Sequence, residues 1–458
     1  MNQLPRIGRP ACFNGLRCRP TIGIRSVHGV PSCKPSRSPA AAAAKGSRWV
    51  ILNEAVRRKK HSVVADAKTM AESRTSTGHH LRIYFGHAAP PASSSLYYDW
   101  AGSAPSAQDY AGELETIAAH GDSVLFEIKQ GLSALFDITS ESDYFVYSAG
   151  AARPPALSLI PAIPSELIKR HMININKCDT GLLRCGEDEL LVVHLDLMTD
   201  RPRETADLFV LRLSGREWEL KPAVPIVVDE DSTGDEPVQN QVPRTTYVAV
   251  PVGDRFMCWA DYNGSGLLLC DMAEASPKLR YMPLPVIPYG GYGYYDDGYV
   301  PEREHSRNMC AAGANSLRFV SIDPRCCCGH SPSRSSCPHG RASFTVTTWT
   351  LTLRTDKAMK WIKESTIDCE EIWALPGYKG LLRMHPEFPI LSSADPDVVC
   401  FMVHDEKRKT WVVEFDTRSK TLLSVIRGYV GPRSLPANLR CYRQLDAIEN
   451  PTSLRKGN

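Results

Sequence analysis

Residues 256–272 carry apolar side chains on both faces of two consecutive extended segments, and this constrains the fold more than any other stretch. Phe256, Cys258, Ala260 and Tyr262 alternate with Met257 and Trp259. An extended chain sends successive side chains to opposite faces, so neither face is polar. Asn263, Gly264, Ser265 and Gly266 give a turn signal, because glycine supplies the positive φ of a tight reversal. A second strand from Leu267 to Met272 is again apolar on both faces. Such strands need cover from both sides. Pro283 and Pro285 stop further pairing, since proline cannot donate to a ladder.

The rest of the chain follows the same rhythm. Trp49, Val50, Ile51 and Leu52 form a continuous apolar run, and Leu81, Ile83 and Phe85 alternate with Arg82 and Tyr84. Short strands are expected at 123–128, 132–138, 144–148 and 157–160, and a short helix at 112–120. Residues 165–172 read as a helix with Ser165 as N-cap. Residues 190–198 and 207–213 are expected strands, with Trp218 closing the unit. The order strand, polar turn, tryptophan recurs at 345–353 with Trp361 and at 398–403 with Trp411, followed by a strand at 422–426. Trp218 and Trp411 are expected to anchor the core. Polar insertions fall at 229–244, 287–308 and 324–342. Many short strands separated by turn residues indicate an all-β, mainly antiparallel fold. Propeller blades of the kelch kind run about 50 residues and carry aromatic residues in this way. The expected architecture is an irregular β-propeller-like domain over 47–440, with a large β-sandwich as the alternative. Residues 1–46 form a basic tail without folding pattern, and 441–458 a C-terminal tail. A propeller ties its first and last strands together, so 49–52 are expected to pair with the C-terminal part of the chain, with 411–415 or 422–426 as partner.

At these segments the chain resembles the plant family defined by domain of unknown function 1618, which is expanded in grasses. The resemblance rests on Trp49 to Leu52, the segment from Ser76 to Ile83, and Ala88 to Ala92. It continues through Asp143 to Gly150, Gly181 to Arg184, and above all Trp259 through Asp271 to Pro285. Trp349, Trp373 and Gly380 with their neighbours complete it, in family order over about 47–430. The resemblance implies a β-rich domain that looks like the F-box-associated propellers, and it implies no activity. Residues 1–46 lie outside it.

Charge separates the tail from the body. Residues 1–53 hold nine Lys and Arg and no Asp or Glu, so the net charge of +3 leaves −6 for the remainder. A mildly acidic body argues against nucleic acid as the main partner. No apolar run approaches the roughly 18 residues of a membrane-spanning helix. The 15 cysteines sit mostly in apolar strands, as Cys258, Cys270 and Cys400 do, where a free thiol behaves as a small hydrophobe. Without a secretory signal this reads as a reducing compartment, cytoplasm or nucleus. The acid-free, Ser-containing tail carries the alternative of a mitochondrial or plastid transit peptide, opposed by Pro5, Pro10 and Pro20, which break the import helix.

Three loops hold the candidate chemistry. Cys327, Cys328, Cys337 and His339 have the donor types of a zinc site, but adjacent cysteines rarely reach one metal, and the serine-rich context reads equally as a polar insertion. Tyr289 to Tyr299 is a tyrosine-glycine loop, either an adaptable contact surface or an insertion between strands. Asp229, Glu230, Asp231, Asp235 and Glu236 read as a solvated acidic loop. His79 and His80 precede a strand. No hydrolase or metalloprotease motif is present. No catalytic, cofactor-binding or metal residue and no cofactor is assigned. The expected function is a monomeric, non-catalytic protein-interaction module with a protein partner. It has no nucleic acid or membrane partner, and lacks the Leu-rich helical F-box of a ligase adaptor. The alternatives are a hydrolase-type enzyme with a site in a central channel, and a zinc-dependent regulatory protein. A fluorescent fusion of residues 1–50 tests the import reading: organellar signal supports it, and diffuse signal ends it.

Overall fold

A strand that is apolar on both faces needs a sheet on each side, and six small, mainly antiparallel blades arranged radially meet that need. The structure is a computed structural model. It describes residues 49–59, 67–102, 104–106, 110, 114–130, 142–150, 154–171, 173–186, 189–197, 204–228, 242–243, 245–262, 266–286, 306–324, 343–355, 357–378, 381, 383–404, 409–428 and 439–443. All fall in one compact unit, 46–458.

Five blades are four-stranded meanders. The first strands of the chain are β1 (Trp49–Asn53), β2 (Ala55–Arg58), β3 (Ala71–Arg74), β4 (His80–Gly86) and β5 (Ser93–Ala101). Blade 2 follows as β6 (Leu114–His120), β7 (Ser123–Lys129), β8 (Ser142–Ser148) and β9 (Ala156–Leu159). After helix α1 (Ser165–His171), blade 3 is β10 (Thr180–Cys185), β11 (Glu189–Asp196), β12 (Thr205–Arg212) and β13 (Glu217–Val228). Blade 4 is β14 (Val248–Val252), β15 (Phe256–Asp261), β16 (Gly266–Asp271) and β17 (Leu279–Met282). Blade 5 is β18 (Arg307–Ala311), β19 (Ser316–Pro324), β20 (Phe344–Thr352) and β21 (Trp361–Asp368). After α2 (Cys369–Trp373), blade 6 is β22 (Glu387–Leu391), β23 (Val398–His404), β24 (Thr410–Asp416) and β25 (Thr421–Gly428), and β26 (Leu439–Arg443) ends the series. Blade 1 is composite, in the order β26-β1-β5-β4-β3, so both ends of the chain build it.

The innermost strands β6, β10, β14, β18, β22 and β26 contact one another in that order, and β26 contacts β6. Among the described residues this is a closed six-bladed, propeller-like ring. Six apolar cores fill the gaps between successive blades. The starting stretch shows why both faces had to be apolar: Met257 and Trp259 enter the core between blades 3 and 4, while Phe256, Cys258 and Ala260 enter the core between blades 4 and 5. Residues 263–265, at the expected turn, lie outside the described residues. Successive blades also touch at their turns. Gly253, between β14 and β15, has φ +61°, and a Cβ there would overlap the Ala314 carbonyl oxygen of the next blade.

Several expectations need correction. Residues 112–120 do not form a helix: pairing with β2 and β7 draws 114–120 into β6, so tertiary context overrides local propensity. The strand 49–52 does pair with the C-terminal part of the chain, but with 439–443 rather than 411–415 or 422–426. Helix α1 begins at Ser165 itself, and the carbonyl of its predecessor Pro164 accepts from the Leu167 and Ile168 N–H groups. Helix α2, with a capping box of Asp368 and Glu371, went unread. Trp218 and Trp411 are half-buried. The deeply buried indole is that of Trp259, at 0% exposure. The expected strand at 132–138 lies outside the described residues.

Trp259→Ala should cost roughly 3–5 kcal/mol, and Trp218→Ala clearly less, read from denaturant midpoints. Removing residues 1–46 should leave the melting temperature unchanged, whereas removing 1–64 or 429–458 should lower it sharply, because each of these strips a strand from the closing blade. Equal melting of all three truncations would mean the ring is not closed through blade 1.

Candidate functional site: the loop-bearing end of the ring

Strand direction sorts the connections between the two ends of the ring. Each innermost strand starts at one end, and antiparallel pairing returns the second and fourth strands of a blade to that end. In blades 2 to 6 the connections at the opposite end run from two residues (121–122) to eight (353–360). The strand-starting end receives the connections 160–179, 229–247, 283–306, 325–343 and 369–386. The three insertions read from the sequence therefore leave the ring at the same end. The zinc candidates Cys327, Cys328, Cys337 and His339, the tyrosine-glycine loop and the acidic loop all belong to these connections, and lie outside the described residues.

Three polar clusters tie strand ends together on this side of the ring. In the first, Asp143 at the start of β8 is 4% exposed. It accepts hydrogen bonds from the Ser76 backbone (2.9 Å), the Tyr110 hydroxyl (2.6 Å) and Gln130 Nε2 (3.1 Å). Burial, and then the bond to Asp143, raise the Tyr110 pKa. The Tyr110 ring stacks on Trp100 at 5.7 Å, and His79 meets both rings edge-on. His80 contacts Glu72 (3.1 Å), whose carboxyl is held below its usual range by the Arg82 hydrogen bond first and His80 second. The two histidines singled out in the sequence thus serve the β3–β4 turn.

The second cluster precedes β10 and β14. Thr246 donates to Asp179, Asn176 Nδ2 donates to Asp179 Oδ2 (2.9 Å), and the Trp259 indole donates to the Asp179 carbonyl (2.8 Å). Lys177 pairs with the buried Glu54 at 2.7 Å, tying blade 3 to the β1–β2 junction. The third cluster lies in blade 6, where His404 Nδ1 meets Thr410 (2.9 Å) and its Nε2 lies 3.9 Å from Glu387. Asp143 and Asp179 were not singled out in the sequence, although each stands at the head of a segment quoted for the family resemblance. Their role depends on partners up to 80 residues away, which local spacing does not show.

At the opposite end a shallow depression lies between blades 4 and 5, lined by Phe256, Leu269, Asp271, Lys278, Arg280 and Arg354. Its charges are satisfied internally: Arg255 Nε donates to Asp271 (2.7 and 2.8 Å), and Arg280 donates to the Arg354 carbonyl (2.7 Å). Among the described residues no group of three His, Cys, Asp or Glu side chains is placed to hold a metal, and no helix is long and apolar enough to cross a membrane. The seven cysteines whose side chains are described are free thiols, five of them buried. Burial pushes Cys270 up to about 12.

Residues 259–400 match the family described as "Protein of unknown function (DUF1618)". That segment starts at Trp259 and runs into blade 6, and it supports the resemblance read from the sequence. No curated protein matches the chain. Among solved structures the chain is similar to TolB from Acinetobacter baumannii, at 8% identity and TM-score 0.34 over 86% of this chain and 66% of that one, just under two thirds of its length. It is also similar to a hypothetical selenium-binding protein from Sulfolobus tokodaii, at 9% identity and TM-score 0.34 over 84% and 76%. A third is the fungal lectin of Aleuria aurantia, a six-bladed β-propeller with a fucose recognition mode, at 9% identity and TM-score 0.33 over 80% and 98%. The architecture here rests on strand order and the ring of cores.

His385 closes the 369–386 connection beside Phe344 (5.6 Å, edge-on). Burial pushes its imidazole down to about 4, opposed only in part by the Pro386 backbone. The unfolded chain takes up this proton near pH 6.5, the folded chain only near 4. The contribution to stability is therefore complete above about pH 6.5 and lost as pH falls towards 4. His385→Phe should flatten that part of the stability profile by about 3 kcal/mol at pH 4 relative to the parent, measured by denaturant titration at pH 4, 5, 6 and 7.

Proposed function

We propose that this chain is a non-catalytic protein-interaction module of the DUF1618 kind, in which a rigid ring offers its loop-bearing end to a protein partner. The observation that supports this reading most directly is the sorting of connections: the long ones leave at one end, above strand ends tied together by hydrogen bonds, while the other end of blades 2 to 6 keeps to short turns. Variable loops on a stiff scaffold are the usual way to build a recognition surface. The described part of that end also exposes apolar area. Met384 is 41% exposed, and its neighbour Arg383 lies over the Trp373 ring at 5.6 Å. Arginine and aromatic groups of this sort are enriched where proteins bind proteins.

The test is affinity purification of the tagged full chain and three variants of unchanged melting temperature. Met384→Asp with Arg383→Glu, and replacement of 229–241 by a short Gly-Ser linker, alter the loop-bearing end. Lys278→Glu alters the other. A partner retained by the third variant and lost or weakened tenfold or more by either of the first two supports the reading. A partner lost only with Lys278→Glu, or turnover of a small substrate that survives in the loop variants, would overturn it.

A further inference from the structure

We propose an oxyanion-binding site in the seam between blades 5 and 6, at the short-turn end of the ring, with the Arg318 guanidinium at its base and the Ser393 hydroxyl as a second donor. Arg318 lies on β19, on the same alternating face as Val320 and Ile322. Both of these enter the core shared with Leu391, Val399 and Phe401 of blade 6. It is the third residue of β19, which begins at the short-turn end. Arg318 is 2% exposed, and its Nε and Nη1 have no hydrogen-bonded partner.

Ser393 reaches the same end from the other blade. It lies two residues beyond Leu391, in the turn 392–397 that joins β22 to β23, and its buried Oγ is also without a partner. Two unpartnered donors thus stand at the same end of adjacent blades. An arginine stays protonated even when burial lowers its pKa, as it does here. Burying a guanidinium with two of its nitrogens not hydrogen-bonded is unfavourable, so an acceptor is called for.

Two of the three nearby carboxylates make other contacts. Asp397 Oδ2 accepts from Arg418 Nε (3.0 Å), and Asp395 Oδ1 accepts the Asp397 backbone N–H (3.0 Å). The Asp395 backbone N–H donates in turn to Ser392 Oγ (2.9 Å). These two, with Glu364, act on Arg318 through space, and Cys310 is its cross-strand neighbour. The Arg318 and Ser393 donors remain for an external oxyanion, a carboxylate or a phosphate, since both present the acceptor oxygens a guanidinium and a hydroxyl recognise.

The experiment is thermal melting of the full chain at fixed pH and ionic strength, with chloride replaced stepwise by inorganic phosphate or by acetate. The parent should show a saturable rise in melting temperature with one of them, and which one identifies the oxyanion class. Arg318→Met should abolish that rise and melt no lower than the parent in chloride, because an apolar side chain of similar length relieves the buried charge. Ser393→Ala should weaken the apparent affinity about tenfold. ³¹P line broadening of phosphate, or acetate saturation-transfer signals, compared between parent and Ser393→Ala, gives the same reading should Arg318→Met fail to fold. Equal responses of parent and variants, no response to either anion, or a lower melting temperature of Arg318→Met in chloride would each overturn the proposal.

Discussion

Closure of the ring is the constraint on which the rest depends. Trp49 and Ile51 pack against Phe388, Ile390, Cys400 and Met402 of blade 6, while Val50 and Leu52 turn to the core shared with blade 2. One five-residue strand thus faces two cores, and its backbone joins β26 on one side and β5 on the other. Each blade on its own would leave two apolar faces in water. Only when the sixth gap is filled does every face have a partner, so the six cores stand or fall together.

Radial position then decides what each strand contributes. The middle strands are sandwiched and buried throughout: β15 and β16 are buried at every position, and β11 and β12 nearly so. At the rim, cover is less complete: β13 and β21 are largely exposed or half-buried, although the end of β13 pairs in parallel with β17 of the next blade. This explains the tryptophans. Trp218 sits on β13, where its ring is half-covered and its indole donates to the Pro161 carbonyl (2.9 Å). Trp259 sits on β15 and is enclosed on both sides. A tryptophan following a polar turn marks where a strand begins, not how far it lies from the axis.

The same geometry separates scaffold from surface. Meander topology sends the connections between blades, and those between second and third strands, to one end, whatever their sequences. Asp143, buried, and Asp179, half-buried, accept several hydrogen bonds each at that end and tie strand ends together. The proposed recognition role would therefore use the same arrangement that makes the scaffold stiff. The Arg318 seam lies at the other end, so ligand binding there and partner binding at the loops involve separate surfaces joined through blades 5 and 6.

The sequence by itself determined the all-β class, most strand positions and which residues share a face. A period of two is a local property, and apolar residues on both faces of 256–272 and 49–52 demand cover from both sides. It also showed that the first strand needs a distant partner, because four apolar residues without a hairpin neighbour cannot stay exposed. Only the tertiary structure decided that β26 is that partner, that residues 114–120 extend rather than coil, and that the insertions share one end of the ring. It alone brought Arg318 and Ser393 to the same end of adjacent blades. The reason is physical: pairing between strands far apart in the chain is set by the closure of the whole ring, and no local pattern of side chains encodes which edge will be left to fill.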